Sequence, residues 1–195
     1  MKRALAAGCI VATILAIGVT PAHAKKRPLE QFLVEAQAPG DSQSVTTPVL
    51  QVNIYKWSTA DDLEAVTDAI EEAAENRRAY RAVHTALGSL GKAGYMFMLG
   101  GQGWPIRYAQ ERQVDGKRQI LLATDRPLTF TEIYRGSAVR EYDITLIVLT
   151  LDDSSTGDGV VSVGTEVEWN EAKGQLEITN TSSQPVRLGN VRPVE

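Results

Sequence analysis

Residues 141–153, EYDITLIVLTLDD, constrain the fold of this chain more than any other stretch. Tyr142, Ile144, Leu146 and Val148 alternate with Ile147, Leu149 and Leu151, so a strand built from them is apolar on both faces. Such a strand has to be covered on both sides. Residues 118–127, RQILLATDRP, form the other strongly hydrophobic run outside the N-terminus and are its expected sheet neighbour. Each run ends in a small polar cluster.

The rest of the chain is placed around this pair. Residues 49–57, VLQVNIYKW, alternate Leu50, Val52 and Ile54 with polar neighbours and predict the first strand of the domain. Ser58 and Thr59 stand three residues before Asp61 and Asp62, a variant capping box that opens a helix. Leu63, Val66, Ile70 and Ala73 keep helical spacing, and Tyr80, Val83, Leu87 and Leu90 resume it out of phase. That break predicts two helices, or one bent near Asn76. The acids lie early in this segment and Arg77, Arg78 and Arg81 late, as a helix dipole favours.

A short strand is expected over 95–99, a loop over 100–105 (GGQGWP), and a hairpin of 106–114 with 117–124 about Asp115-Gly116. Residues 128–140 read as a connection, 153–158 as a turn-rich loop and 160–169 as one strand with a wet face. Residues 175–180 pair back on the last of these, and 185–191 form a final strand. The predicted class is therefore α+β. One strand and a helix or helix pair precede a mostly antiparallel meander of about six or seven strands, with the helical part packed on one sheet face.

The N-terminus reads differently. Lys2 and Arg3, the apolar run 4–19, and Ala22-His23-Ala24 have the order of a secretory signal peptide cut before Lys25. The expected division is a signal peptide over 1–24, a flexible arm or linker over 25–48, and a single domain over 49–195. The expected location is periplasmic or extracellular. Cys9 is the only cysteine, so the mature chain has no thiol and no disulfide. Removing Lys2 and Arg3 leaves 18 basic side chains against 24 acidic ones, a net charge of −6. That balance gives no electrostatic reason to bind nucleic acid, or a membrane once the signal is cleaved.

Several chemistries are disfavoured by residue type. With the signal removed His84 is the only histidine, so a nucleophile lacks the usual base, and no G-x-S-x-G occurs. One histidine and no thiol also argue against a transition-metal site. DDSSTGDG over 152–159 resembles a calcium loop, but the twelfth position counted from Asp152 is Val163, where a bidentate Glu is needed. The glycines 100, 101 and 103 lead into Trp104-Pro105, not into a helix, so they do not form a phosphate cradle. No cofactor and no metal is expected.

The candidate site is the polar cluster at the ends of the two organising strands: Asp125 and Arg126 on one, Arg140, Glu141 and Asp143 on the other, near Tyr142. In one reading Asp125 and Arg126 only tie the turn before Pro127. In the other they line a small polar pocket with Trp104, Tyr108 and Tyr134 as aromatic walls.

The segments IYKWST (54–59), IRYA (106–109), ILLATDRPLTF (120–130), EYDITLIVLTLD (141–152) and QPVRLGNV (184–191) give the chain a resemblance to a family of small secreted bacterial proteins of unknown function. The resemblance implies a compact extracytoplasmic domain and carries no catalytic residue. The leading expectation is a non-enzymatic secreted or periplasmic domain that binds a protein or a small-molecule ligand. The alternatives are a ligand-carrying cup or barrel for an apolar molecule, and an enzyme built on carboxylates and arginine around Asp125, Arg126 and Arg140.

Overall fold

The structure is a computed structural model, and it describes residues 27–37, 48–75, 80–98, 101, 103–126, 128, 144–163, 165–170, 172, 175–181 and 185–194. Among them are eleven strands and two helices. In chain order these are β1 (Glu30–Gln37), β2 (Val49–Ile54), α1 (Ala60–Glu75), α2 (Tyr80–Ser89), β3 (Gly94–Met98), β4 (Gly103–Ile106), β5 (Tyr108–Val114) and β6 (Lys117–Thr124). Then follow β7 (Thr145–Leu151), β8 (Gly157–Val163), β9 (Thr165–Asn170), β10 (Gln175–Thr181) and β11 (Val186–Pro193). The class is α+β and all the strand pairs are antiparallel.

Nine strands form one sheet in the order β4-β3-β2-β1-β11-β8-β7-β6-β5. Its two outermost strands, β4 and β5, are consecutive in the chain and separated only by Arg107. They act as two halves of one bent strand, the first pairing with β3 and the second with β6. The sheet thus returns on itself as a nearly closed barrel. At the bend the Arg107 N–H donates to Ala123 O at 2.8 Å, and Ala109 exchanges bonds with the backbone N–H and hydroxyl of Ser58 at 2.8 and 3.0 Å.

The bend also changes which way side chains point. Trp104, Ile106 and Ala109 belong to the enclosed core, whereas Tyr108 belongs to the core beneath the helices. The residue inserted at 107 breaks the two-residue period.

The enclosed core takes Phe32, Val34 and Ala36 from β1, Leu50, Val52 and Ile54 from β2, Ile120 and Leu122 from β6, and Ile147, Leu149 and Leu151 from β7. Leu121, Ala123, Leu146 and Val148 point the other way, under Val66, Ile70, Val83 and Leu87 of the helices and Val167 of β9. The two-sided burial expected of the organising strands is therefore present in β6 and β7. The capping box is present too: the Thr59 N–H donates to Asp62 Oδ2 at 2.9 Å and the Asp62 N–H to Thr59 Oγ1 at 3.2 Å. Asp115 and Gly116 sit at φ 51° and 74°, as the tight hairpin turn between β5 and β6 requires.

Three expectations are corrected. The arm over 25–48 contains β1, which lies inside the sheet between β2 and β11. Its alternation is only three apolar residues long and is flanked by basic and turn-forming stretches. The loop over 100–105 includes β4, with Pro105 tolerated because the free side of that short strand needs no donor there. The single strand over 160–169 is two strands in different sheets. Val161, Val163 and Val167 share one parity, so the pattern reads as continuous although the first two face the barrel core and the third the helices. The meander accordingly has nine strands after the helices, more than expected. The pairing of 175–180 with β9 and the last strand agree with the sequence reading.

Leu149→Ala, at a position with no exposure in the enclosed core, is expected to cost about 2–5 kcal/mol. Val160→Thr, on the outward side of neighbouring β8, should change stability by less than about 0.5 kcal/mol. Urea denaturation of both variants measures the contrast.

Candidate functional site

Of the polar cluster expected at the strand ends, the described residues include Arg126 and Asp125, which follows the last residue of β6. Its partner is Arg107 at the bend of β4 and β5, not Arg126. Arg107 Nε donates to Asp125 Oδ2 at 3.0 Å, and Nη2 forms an ion pair with the same oxygen at 3.0 Å. The geometry follows from register. Tyr108 pairs with Ala123, so Arg107 and Asp125 emerge beside one another at the same rim.

The side chains are only 17% and 8% exposed, and α2 passes nearby: a Cβ placed at Gly88 would lie 3.7 Å from Asp125 Oδ2. Asp125 Oδ1 is buried with no hydrogen-bond partner. The arrangement is a neutral, mostly buried pair with one acceptor left over. Among the described residues no group of three or more His, Cys, Asp and Glu is placed to hold a metal ion.

Arg126 is exposed, and its backbone does the work. Its N–H donates to Thr124 Oγ1 at 3.1 Å, and its carbonyl accepts from Thr145 Oγ1 at 3.0 Å. Thr124 and Thr145 are directly opposed across β6 and β7, and both are buried. Leu128, also fully buried, joins the enclosed core just beyond them. The turn after β6 is thus tied by the Arg126 backbone and two threonine hydroxyls, while the Asp125 side chain is engaged by Arg107 instead.

The other end of β6 is closed by charge. Arg118 points inward, in phase with Ile120 and Leu122, and its Nη2 reaches Glu30 Oε1 of β1 at 2.5 Å and Glu111 Oε2 of β5 at 3.0 Å. Hydrogen bonds to Glu111 and Glu30 hold the Arg118 guanidinium well above its ordinary range, and the bond from Arg118 pulls the Glu111 carboxyl below its own.

The predicted aromatic walls do not face one pocket. Trp104 is buried in the enclosed core and Tyr108 in the core under the helices. Burial, then the negative charge of Asp62, pushes the Tyr108 hydroxyl up to about 12, against a smaller opposing effect of Arg112. Tyr134, Arg140 and Tyr142 lie outside the described residues, as do Glu141 and Asp143. Sequence reasoning missed Arg107. The one available sign was a cation between Ile106 and Tyr108, at the start of the stretch read as the first strand of the hairpin. In the 152–159 loop, Asp152 Oδ1 accepts from the Ser154 N–H at 2.9 Å and from the Thr156 N–H at 3.0 Å. Its carboxylate is thereby spent on the turn.

Comparison of the chain with family models, curated proteins and solved structures gives no match.

Arg107→Met should cost about 3–5 kcal/mol, because it strands a buried carboxylate, and Arg107→Met with Asp125→Leu should recover most of that loss. Chemical denaturation of the single and double variants reads the difference. A second expectation concerns base. Between pH 10 and about 12 the unfolded chain ionises at Tyr108 while the folded one does not, so stability supplied below pH 10 falls as pH rises through that window. Phenolate absorbance followed beside circular dichroism should show one tyrosine ionising last.

Proposed function

We propose that this chain is a non-enzymatic exported domain that meets its partner on its outer surface, and that the barrel serves as a scaffold. The observation that carries this reading is the state of the interior. An eight-stave barrel is wide enough either to be filled by its own side chains or to hold one small ligand, and this one is filled. Val34, Ala36, Leu50, Val52, Ile54, Leu122, Ile147 and Leu149 have no exposed surface, so no water-sized void borders them. The Arg118 cluster at one end and the Thr124, Thr145 and Leu128 closure at the other agree with a sealed interior.

Export is proposed from the charge, apolar run and A-x-A order of residues 1–24. It fits a domain that reaches its stability by core packing without thiols. Among the described residues no helix is long and apolar enough to cross a membrane. Among the described residues, the observation on the side of catalysis is Asp125 Oδ1, buried without a hydrogen-bond partner. Its carboxylate is already neutralised by Arg107, and general acid-base work on a glycoside needs a second carboxyl some 5–10 Å away. The pair reads better as an anchor for the bend.

A fluorescent fatty acid titrated into the native protein tests the reading against the ligand-carrying cup. No saturable binding is expected below the unfolding transition. Stoichiometric binding in the native state would favour the cup instead.

A further inference from the structure

Two regions of the barrel's outer face, on either side of β11 and β8, differ in chemistry. The region over β5, β6 and β7 is covered by α1, α2 and β9. The region over β1 to β4 presents two complete cross-strand rows. Gln31 faces Asn53, which faces Tyr95, which faces Pro105; in the next row Leu33 faces Gln51, then Phe97, then Gly103. None of these eight positions is charged. Among the described residues charge stands at the margin: Arg192 of β11 is opposite Leu33, Glu35 is held by Asn190 and Arg192, and Lys92 is hydrogen-bonded to the Tyr95 hydroxyl.

The polar groups of this face are held in place. Asn53 is 6% exposed, and its Oδ1 accepts from Gln31 Nε2 at 3.0 Å and from Gln51 Nε2 at 2.9 Å. Each half-buried glutamine is thereby fixed through one N–H. Its carbonyl oxygen and second N–H are left to make bonds outward. Beside them the Tyr95 and Phe97 rings lie 5.7 Å apart and within 21° of parallel. Phe97 leans over Gly103, where a Cβ would come within 2.7 Å of the ring, so glycine is what allows this ring position.

From this arrangement, and resting on the surface-binding reading above, we propose that the outer face of β1 to β4 binds a neutral saccharide chain. A charged ligand would lose its hydration there without gaining a counter-charge. A sugar carries hydroxyls that both donate and accept, matching fixed carboxamides, and apolar C–H faces, matching aromatic rings. Side chains immobilised before binding also lower the entropic cost of the encounter. The two rows run side by side across four strands spaced about 4.8 Å apart, a convex strip on which a short run of linked sugars can lie.

The test titrates cellohexaose, chitohexaose and maltohexaose separately, at millimolar concentration, into the isotopically labelled full chain. Side-chain amide resonances of Gln31, Gln51 and Asn53 are followed, and each oligosaccharide is recovered for mass analysis. At least one sugar is expected to shift those resonances together, with affinity falling tenfold or more in Tyr95→Ala and in Gln51→Ala. Gln51→Glu, close to isosteric, guards against loss through misfolding and should weaken binding while leaving the spectrum dispersed. Absence of shifts with all three sugars overturns the inference and leaves the surface-binding reading standing. The same holds for shifts that survive both alanine variants, or for a protein ligand that occupies this face while no sugar does. Recovery of a cleaved oligosaccharide would instead sink the non-enzymatic reading and leave the saccharide site in place.

Discussion

The bend at Arg107 is the constraint on which the rest of the molecule depends. An antiparallel sheet with free edges offers unpaired backbone groups to other chains, and full closure removes that hazard. Here closure comes from one stretch of chain that leaves β3 and joins β6 within a single residue. The residue at that point is held twice, by its N–H on Ala123 O and by its guanidinium on Asp125. The inserted position also turns Tyr108 out of the barrel and under the helices. A strand of regular period would have placed that ring inside, where Trp104 and Ile106 already lie.

With the barrel nearly closed, β6 and β7 become walls between two cores. Their inward residues fill the barrel and their outward ones meet the helices, so one pair of strands supports both layers. The polar closures sit where apolar packing stops. Arg118 draws together β1, β5 and β6 at one mouth, and two buried threonines fasten the Arg126 turn at the other. The face of β1 to β4 is left with amides and two rings, and charge stands at its margin.

Much of this was legible in the sequence wherever the pattern is local. The apolar double period of 144–151, the Thr59 and Asp62 cap, the phase break between α1 and α2 and the Asp115-Gly116 hairpin each depend on a few adjacent residues, and each is found. The errors arise where the outcome depends on distant partners. The β1 alternation is brief and becomes a strand because β2 and β11 flank it. The 160–169 pattern keeps one parity while the chain passes from one sheet to another. At the candidate site, Asp125 was visible but its partner was not, because Arg107 stands 18 positions away and reaches it through the register of the β5–β6 hairpin. Trp104 and Tyr108 looked like companions until the bend separated them.

The most direct test of closure is native-state hydrogen exchange at the seam. The account predicts that the amides of Arg107 and Ala93, bonded to Ala123 O and Ile106 O, exchange only with global unfolding, at the same free energy as those of Ile147 and Leu149. Fast exchange of Arg107 and Ala93 against slow exchange in β7 would mean that the seam opens on its own. The barrel would then be a cup with a working mouth, and the assignment of function to its outer surface would fail.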